Sequence, residues 1–478
     1  MQSVRVSQAS ALPSQTTCSQ PTWSPPRNRQ HYHLTNTRSP VPLLASLRCT
    51  RSGITDLAEC CGADTPPASF SNVSRSRPTN VPARPFCYSK WLTLIVRASG
   101  PSLAPAHFPT PLRPPGARGC FDAGAGTITH KNPSIQSLRG LAALFVALYH
   151  ASGFSGAHFG DSGWAAIFDG RFGIIGVAIF FAISGLLMAD LIQRTDPWRF
   201  LAHRIVRIYP TFLLTASAWA SVIALLGLGK IGFHIFSLML VPVGPRAYYL
   251  GVEWTLVFEC TYYFGLFLIA LIGWSRCLNR IALAWIAAIA AAPLFIGWSD
   301  NIYCSFYSIW LSPVNVAFAG GLLIPWIASK IRIPVGTGIL ALCILMVALP
   351  ANPMIARLVA GAVATLLVLD VMRVKVPLHV MLGLPTLGDW SYALYLCHAP
   401  CIWTVYHLWP ASLGVGAAWL SALATATIVS AGFGMIDVRM YRHLKTAVDS
   451  ASEKQRRRRV NIYAGAFVIA SLVGVVVT

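Results

Sequence analysis

From residue 136 onward the chain alternates long apolar runs with short polar breaks. The runs cover 136–154, 173–192, 209–228, 250–273, 281–298, 310–328, 335–349, 354–371, 391–409, 411–436 and 461–478. Most approach the roughly 20 residues a helix needs to cross the hydrocarbon core of a bilayer. Run 335–349 is short, and the apolar piece 231–243 suits an interfacial or re-entrant segment better than a span. The pattern predicts an all-α integral membrane protein with about ten core transmembrane helices and one C-terminal tail helix. Residues 1–130 differ in kind: they are rich in Ser, Pro, Thr and Arg, and their best apolar stretch, Trp91–Val96, is too short to span. That segment is expected to be a disordered basic extension that the membrane core does not need, although its acid-poor character also fits a transit peptide. The expected organisation is therefore 1–130 as extension, 133–445 as membrane domain, and 446–478 as basic loop and extra helix.

Composition narrows the class. Of 478 residues, 55% are hydrophobic and only 11% charged, which excludes an ordinary soluble protein. A net charge of +21 would usually point to nucleic acid. Here the cations sit mostly in the first 135 residues and after every second run: Arg194, Arg199, Arg204 and Arg207; Arg276 and Arg280; Lys330 and Arg332; Arg373 and Lys375; and Arg439, Arg442, Lys445 and Arg456–Arg459. Such alternation is the signature of cytoplasmic loops, so the bilayer is the expected partner, the N-terminus is expected to be cytoplasmic, and no nucleic acid is expected. The 12 cysteines show no CxxC pairs or zinc-ligand spacing, so neither a disulfide framework nor a metal site is expected.

Ionisable groups inside such runs are costly and mark chemistry or a transport path. Arg139 and His150 share the first run, ~16 Å apart along a helix, which places one near the cytoplasmic edge and the other deeper. His150 suits a general base acting on a hydroxyl, or it packs helices through a hydrogen bond. Arg204 and Arg207, just before the third run, share a helix face and either clamp phosphates or anchor the helix on the positive side. Ser184 lies in the stretch Gly176–Gly185, whose small residues suit close helix packing. Trp254 opens the stretch to Glu259, a carboxylate within a span followed by Tyr262 and Tyr263; it either partners His150 or makes a structural hydrogen bond to helix ends or tyrosine hydroxyls. Glu253 is expected nearer the outer interface and more easily solvated. Ser391, Tyr395 and His398 fall on one helix face, lining a substrate path or cross-linking helices.

In this order the stretches resemble the acyltransferase-3 family of multi-pass membrane O-acyltransferases over about residues 133–445. Arg139 and His150 match the family's Arg or Lys, ten residues, then His; Arg204 and Arg207 match its Arg-x-x-Arg. Phe180–Gly185 match Phe-Phe-x-x-Ser-Gly, Trp254–Glu259 match Trp-Ser-Leu-x-x-Glu with Thr255 for Ser, and Ser391–His398 match Ser-Tyr-x-x-Tyr-Leu-x-His. Ala178 departs from the acidic residue many members carry in the second helix, and helix 461–478 exceeds the family's usual ten. The resemblance implies transfer of an acyl group, acetyl above all, from cytoplasmic acyl-CoA to a hydroxyl of a surface or lipid-linked glycan, in a bacterial inner (plasma) membrane. It gives Arg139, Arg204 and Arg207 the donor phosphates, and His150 the role of base with Glu259 orienting it. Ser184, Trp254, Tyr395 and His398 fall along the substrate path. A transporter or flippase of a glycan or small molecule is the alternative.

Overall fold

The computed structural model describes residues 132–160, 163–229, 232, 234–246, 248–296, 302–374, 383–410 and 412–477. Expectations about residues 1–130, and about Lys375, lie outside these. Residues Ala123–Thr478 form one compact unit. Its principal helices are α1 Pro133–Phe159, α2 Gly170–Arg194, α3 Pro197–Leu225, α4 Trp254–Leu271, α5 Leu278–Ala291 and α6 Asn315–Lys330. They continue with α7 Thr337–Val347, α8 Pro353–Arg373, the short α9 Leu384–Asp389, α10 Ser391–Leu408, α11 Val415–Ser450 and α12 Glu453–Val477. No strand occurs among the described residues, only an isolated bridge between Val243 and Ser305. Among those residues, seven helices are long and apolar enough to cross a membrane. The other runs fold as α6, α7, α10 and α12.

Several starts follow one local rule. Asn132-Pro133, Asp196-Pro197 and Asn352-Pro353 each place a capping side chain before a proline at the first helical position. The cap oxygen accepts a backbone N–H of the first turn, and proline has no N–H there to leave unpaired. The Asp196 cap starts α3 twelve residues before the apolar run 209–228. Arg204 and Arg207 therefore sit inside a helix rather than before one. α11 likewise runs past its apolar stretch 411–436 to Ser450. Both charged extensions are helical because they satisfy each other: Arg199 and His203 of α3 bond Asp449 of α11, each at 2.8 Å.

Consecutive long helices alternate in direction. Arg171, at the start of α2, donates to the Met346 carbonyl at the end of α7 (2.6 Å), while Arg373, at the end of α8, donates to the Ile333 carbonyl before α7 begins (2.8 Å). One end of the bundle thus collects the basic helix ends, and the opposite end carries the loops 226–253 and 302–314. Packing is close where α2 crosses α6: a Cβ built on Gly185 would lie 2.2 Å from the Phe318 carbonyl oxygen, and one on Gly321 2.2 Å from that of Ala182. The helix-packing role of the Gly176–Gly185 stretch is visible here.

The segment between α3 and α4 folds back into the bundle, as the re-entrant reading of the neighbouring apolar piece anticipates. Tyr209, near the middle of α3, donates to the Met239 carbonyl (2.6 Å), and Leu240, Val241, Val243, Leu250 and Val252 are buried. Leu240 holds φ +52°, a left-handed turn at the deep end. Irregular backbone at such depth persists when protein rather than lipid surrounds it. Glu253 is not solvated at an interface: it is 0% exposed, and its carboxylate accepts the backbone N–H groups of Tyr249 and Leu250. α12 covers this region, with Tyr463 against Tyr209 (ring centroids 5.7 Å) and Phe467 against Phe264 (5.1 Å).

Candidate active site

A cavity of ≈ 130 Å³ lies inside the bundle toward the basic end, lined by Arg139 of α1, Ser184 of α2, Arg204 and Arg207 of α3, Thr255, Glu259 and Tyr263 of α4, and Tyr392 and Tyr395 of α10. Six residues that the sequence singles out therefore converge from five helices. Their electrostatic situations differ. Arg207 donates both contacts of a salt bridge to Asp437 of α11, at 2.7 and 2.9 Å, and Thr211 adds a bond of 2.6 Å to the same carboxylate. Asp437 is 1% exposed, and the Arg207 guanidinium stacks between Tyr392 (4.9 Å) and Tyr441 (5.3 Å). Arg207 thus has a counter-charge within the protein, held through Nη1.

Arg204 and Arg139 are different. The guanidinium of Arg204 lies 5.7 Å from the Tyr263 ring, and its Nε is buried with no hydrogen-bond partner among the described residues. Arg139 forms no hydrogen bond or ion pair with the described residues, although Glu259 lies within its electrostatic range. A buried donor without an acceptor is a cost that an anionic ligand would remove. Glu259 accepts from the Tyr263 hydroxyl and, at 3.4 Å, from Ser184 Oγ. Of the two sequence readings, the tyrosine-hydroxyl partner is the one found, and the structure fixes Glu259 within the cavity wall rather than against His150.

His150 has another partner. Its Nδ1 lies 2.9 Å from the Val146 carbonyl and 3.1 Å from His398 Nε2, and His398 Nδ1 lies 3.0 Å from the Leu394 carbonyl. Carbonyls only accept, so both Nδ1 atoms carry hydrogen and His398 Nε2 must accept from His150. In the neutral His150 ring this leaves Nε2 with a free lone pair. His398 is fully buried, whereas His150 retains partial exposure. Neither histidine lines the cavity. Tyr395 connects the two places: its ring lines the cavity, stands 5.7 Å from Phe180 and 5.8 Å from His398, and its hydroxyl accepts from Thr255 (2.7 Å) and donates to the Val252 carbonyl (3.1 Å). Trp254 stays outside the cavity wall, packed edge-on against Phe258 at 5.9 Å.

Asp437 and the buried role of Glu253 do not stand out in the sequence. Asp437 leaves a trace there only as an acid two residues before Arg439. Among the described residues no group of three or more His, Cys, Asp or Glu is placed to hold a metal.

A bundle of long apolar helices with cations and a carboxylate converging on an internal cavity defines a multi-pass membrane protein with a polar chamber. The family model described as an acyltransferase domain, Acyl_transf_3, matches residues 132–435. The chain belongs to that family and is a membrane acyltransferase. No curated protein and no solved structure matches it.

Proposed function

We propose that the chain transfers an acyl group, acetyl in the simplest case, from acyl-CoA to a hydroxyl of a cell-surface or lipid-linked glycan. One juxtaposition carries the reading: two arginines without ion-pair partners among the described residues stand on one side of Tyr395, and an imidazole with a bare Nε2 stands on the other. Arg204 and Arg139 supply the donor's phosphates with charge and hydrogen bonds, and Arg207 with Asp437 holds the wall in shape.

His150 Nε2 takes the proton of the acceptor hydroxyl as the oxygen attacks the thioester carbonyl. The new C–O bond forms, the C–S bond breaks, and the departing thiolate recovers the proton from His150. His398 keeps Nε2 as the basic atom by accepting from Nδ1. The positive-inside rule supports a cytoplasmic basic end, hence donor access from the cytoplasm of a bacterial inner membrane and acceptor access from the far side.

The test is label transfer in membranes from radiolabelled acetyl-CoA to a crude extract of the host's glycans, with the native chain and a stably expressed His150→Ala variant. Base-labile label with the native chain alone supports the reading. Equal labelling by both removes His150 from the mechanism, and no labelling by either, where a related enzyme works, rejects the donor or the acceptor.

A further inference from the structure

Away from the cavity, at the opposite end of the bundle, another cation lacks an ion-pair partner among the described residues. All three guanidinium nitrogens of Arg246, on the re-entrant segment, are buried and meet no acceptor in hydrogen-bond geometry among the described residues, the Tyr248 side chain being their nearest polar neighbour. The guanidinium lies on the Tyr248 ring, 5.1 Å from its centroid. Glu253 is within electrostatic range, but its carboxylate is already held by the Tyr249 and Leu250 N–H groups. Neither contact satisfies the five N–H donors of an arginine.

The surroundings lead back to the histidine pair. Tyr248 stacks on Tyr303, with centroids 5.7 Å apart and planes at 28°. Tyr303 lies within electrostatic range of Tyr149, whose ring is 4.8 Å from that of His150. All three tyrosines are part-buried, so they offer accessible faces. Flat aromatic faces with a polar edge suit the C–H face and hydroxyls of a sugar. A planar guanidinium suits a carboxylate or a phosphate through paired hydrogen bonds.

We propose that Arg246 anchors an acceptor subsite for an anionic sugar: it binds the carboxylate or phosphate, and the tyrosines guide the sugar's hydroxyl to His150 Nε2. A ligand reaches Arg246 by displacing the part-buried Tyr248 ring onto its own sugar face. The subsite rests on the acyl-transfer reading for its role as acceptor site, but its anion binding stands apart from catalysis.

The experiment therefore measures binding first. Equilibrium dialysis of the purified full chain in detergent compares three tritiated probes: a disaccharide containing glucuronic acid, a hexose 1-phosphate and a neutral disaccharide. At least one anionic probe is expected to bind about ten times more tightly than the neutral one, the gain of one charge-assisted hydrogen bond. Arg246→Gln is expected to remove that preference, and Arg204→Gln to leave it unchanged. The stronger of the two anionic probes identifies the source as sugar carboxylate or sugar phosphate. Arg246→Lys, which keeps the charge and loses the fork, covers the case in which Arg246→Gln does not fold, and is expected to lose most of the preference. Equal binding of all probes, or a preference that survives substitution of Arg246, overturns the proposal. Label transfer is measured in parallel: an Arg246-dependent preference without transfer to any acceptor retains the anion site and rejects acyl transfer, whereas transfer without the preference does the reverse.

Discussion

His398 Nε2 stands 3.1 Å from His150 Nδ1 across a separation of 248 residues, and each ring also donates its Nδ1 hydrogen to the carbonyl four residues before it. The pair leaves one nitrogen of His150 chemically open. Replacing His398 by alanine keeps the Val146 carbonyl but removes the second acceptor, which lets the ring turn. Acyl transfer is expected to fall roughly tenfold to a hundredfold in kcat, the range for loss of an orienting partner, with the donor KM unchanged. Initial-rate kinetics on the purified protein decide this, and a His398→Ala variant as inactive as His150→Ala would assign His398 more than an orienting role.

The arginines of the cavity separate by their partners. Arg204→Gln removes a cation that has no ion-pair partner among the described residues. It is expected to raise the donor KM about tenfold, the loss of one charge-assisted hydrogen bond, with little effect on protein stability. Steady-state kinetics with varied acyl-CoA measure the first, and a melting curve in detergent measures the second.

Loss of Asp437 acts on the fold. Asp437→Asn leaves the buried Arg207 charge uncompensated and is expected to destabilise the protein by about 3–5 kcal/mol. An Arg207→Met/Asp437→Leu double variant is expected to recover most of that stability without recovering activity. Unfolding midpoints in detergent distinguish the two; a single variant as stable as the native chain would mean the ion pair contributes nothing.

The α2–α6 crossing gives a contrast within one residue type. Gly185→Ala would drive a Cβ into the Phe318 carbonyl oxygen, at 2.2 Å, whereas one at Gly153 meets nothing within 4 Å. The first substitution is expected to destabilise by about 3 kcal/mol and the second to be neutral or to stabilise by about 0.5–1 kcal/mol, as measured by thermal unfolding.

Much of this architecture is legible in the order of apolar runs, because lipid imposes length and polarity locally. Arg139, Ser184, Arg204, Arg207, Glu259 and Tyr395 can be singled out because polar groups in such runs are conspicuous. Their pairing is not legible. The partner of Arg207 lies 230 residues away on α11, and the partner of His150 lies 248 residues away on α10, so neither leaves a local pattern. The start of α3 is hidden for a related reason: a hydropathy window stops at Arg207 and Arg204, while the fold carries the helix back past them to Arg199 and His203, which bond Asp449. Glu253 is misplaced by sequence because a carboxylate clasped by its own loop resembles there one that faces water.

The shared family sequence ends at residue 435, two positions before Asp437 and well before Tyr463 and Phe467. The physical unit does not end there. A chain trimmed to the family boundary would retain the five motifs yet lose the counter-charge of Arg207 and the helix lying against Tyr209 and Phe264. For this protein, inheritance and mechanical integrity have different borders, and fusion partners or deletions should respect the second.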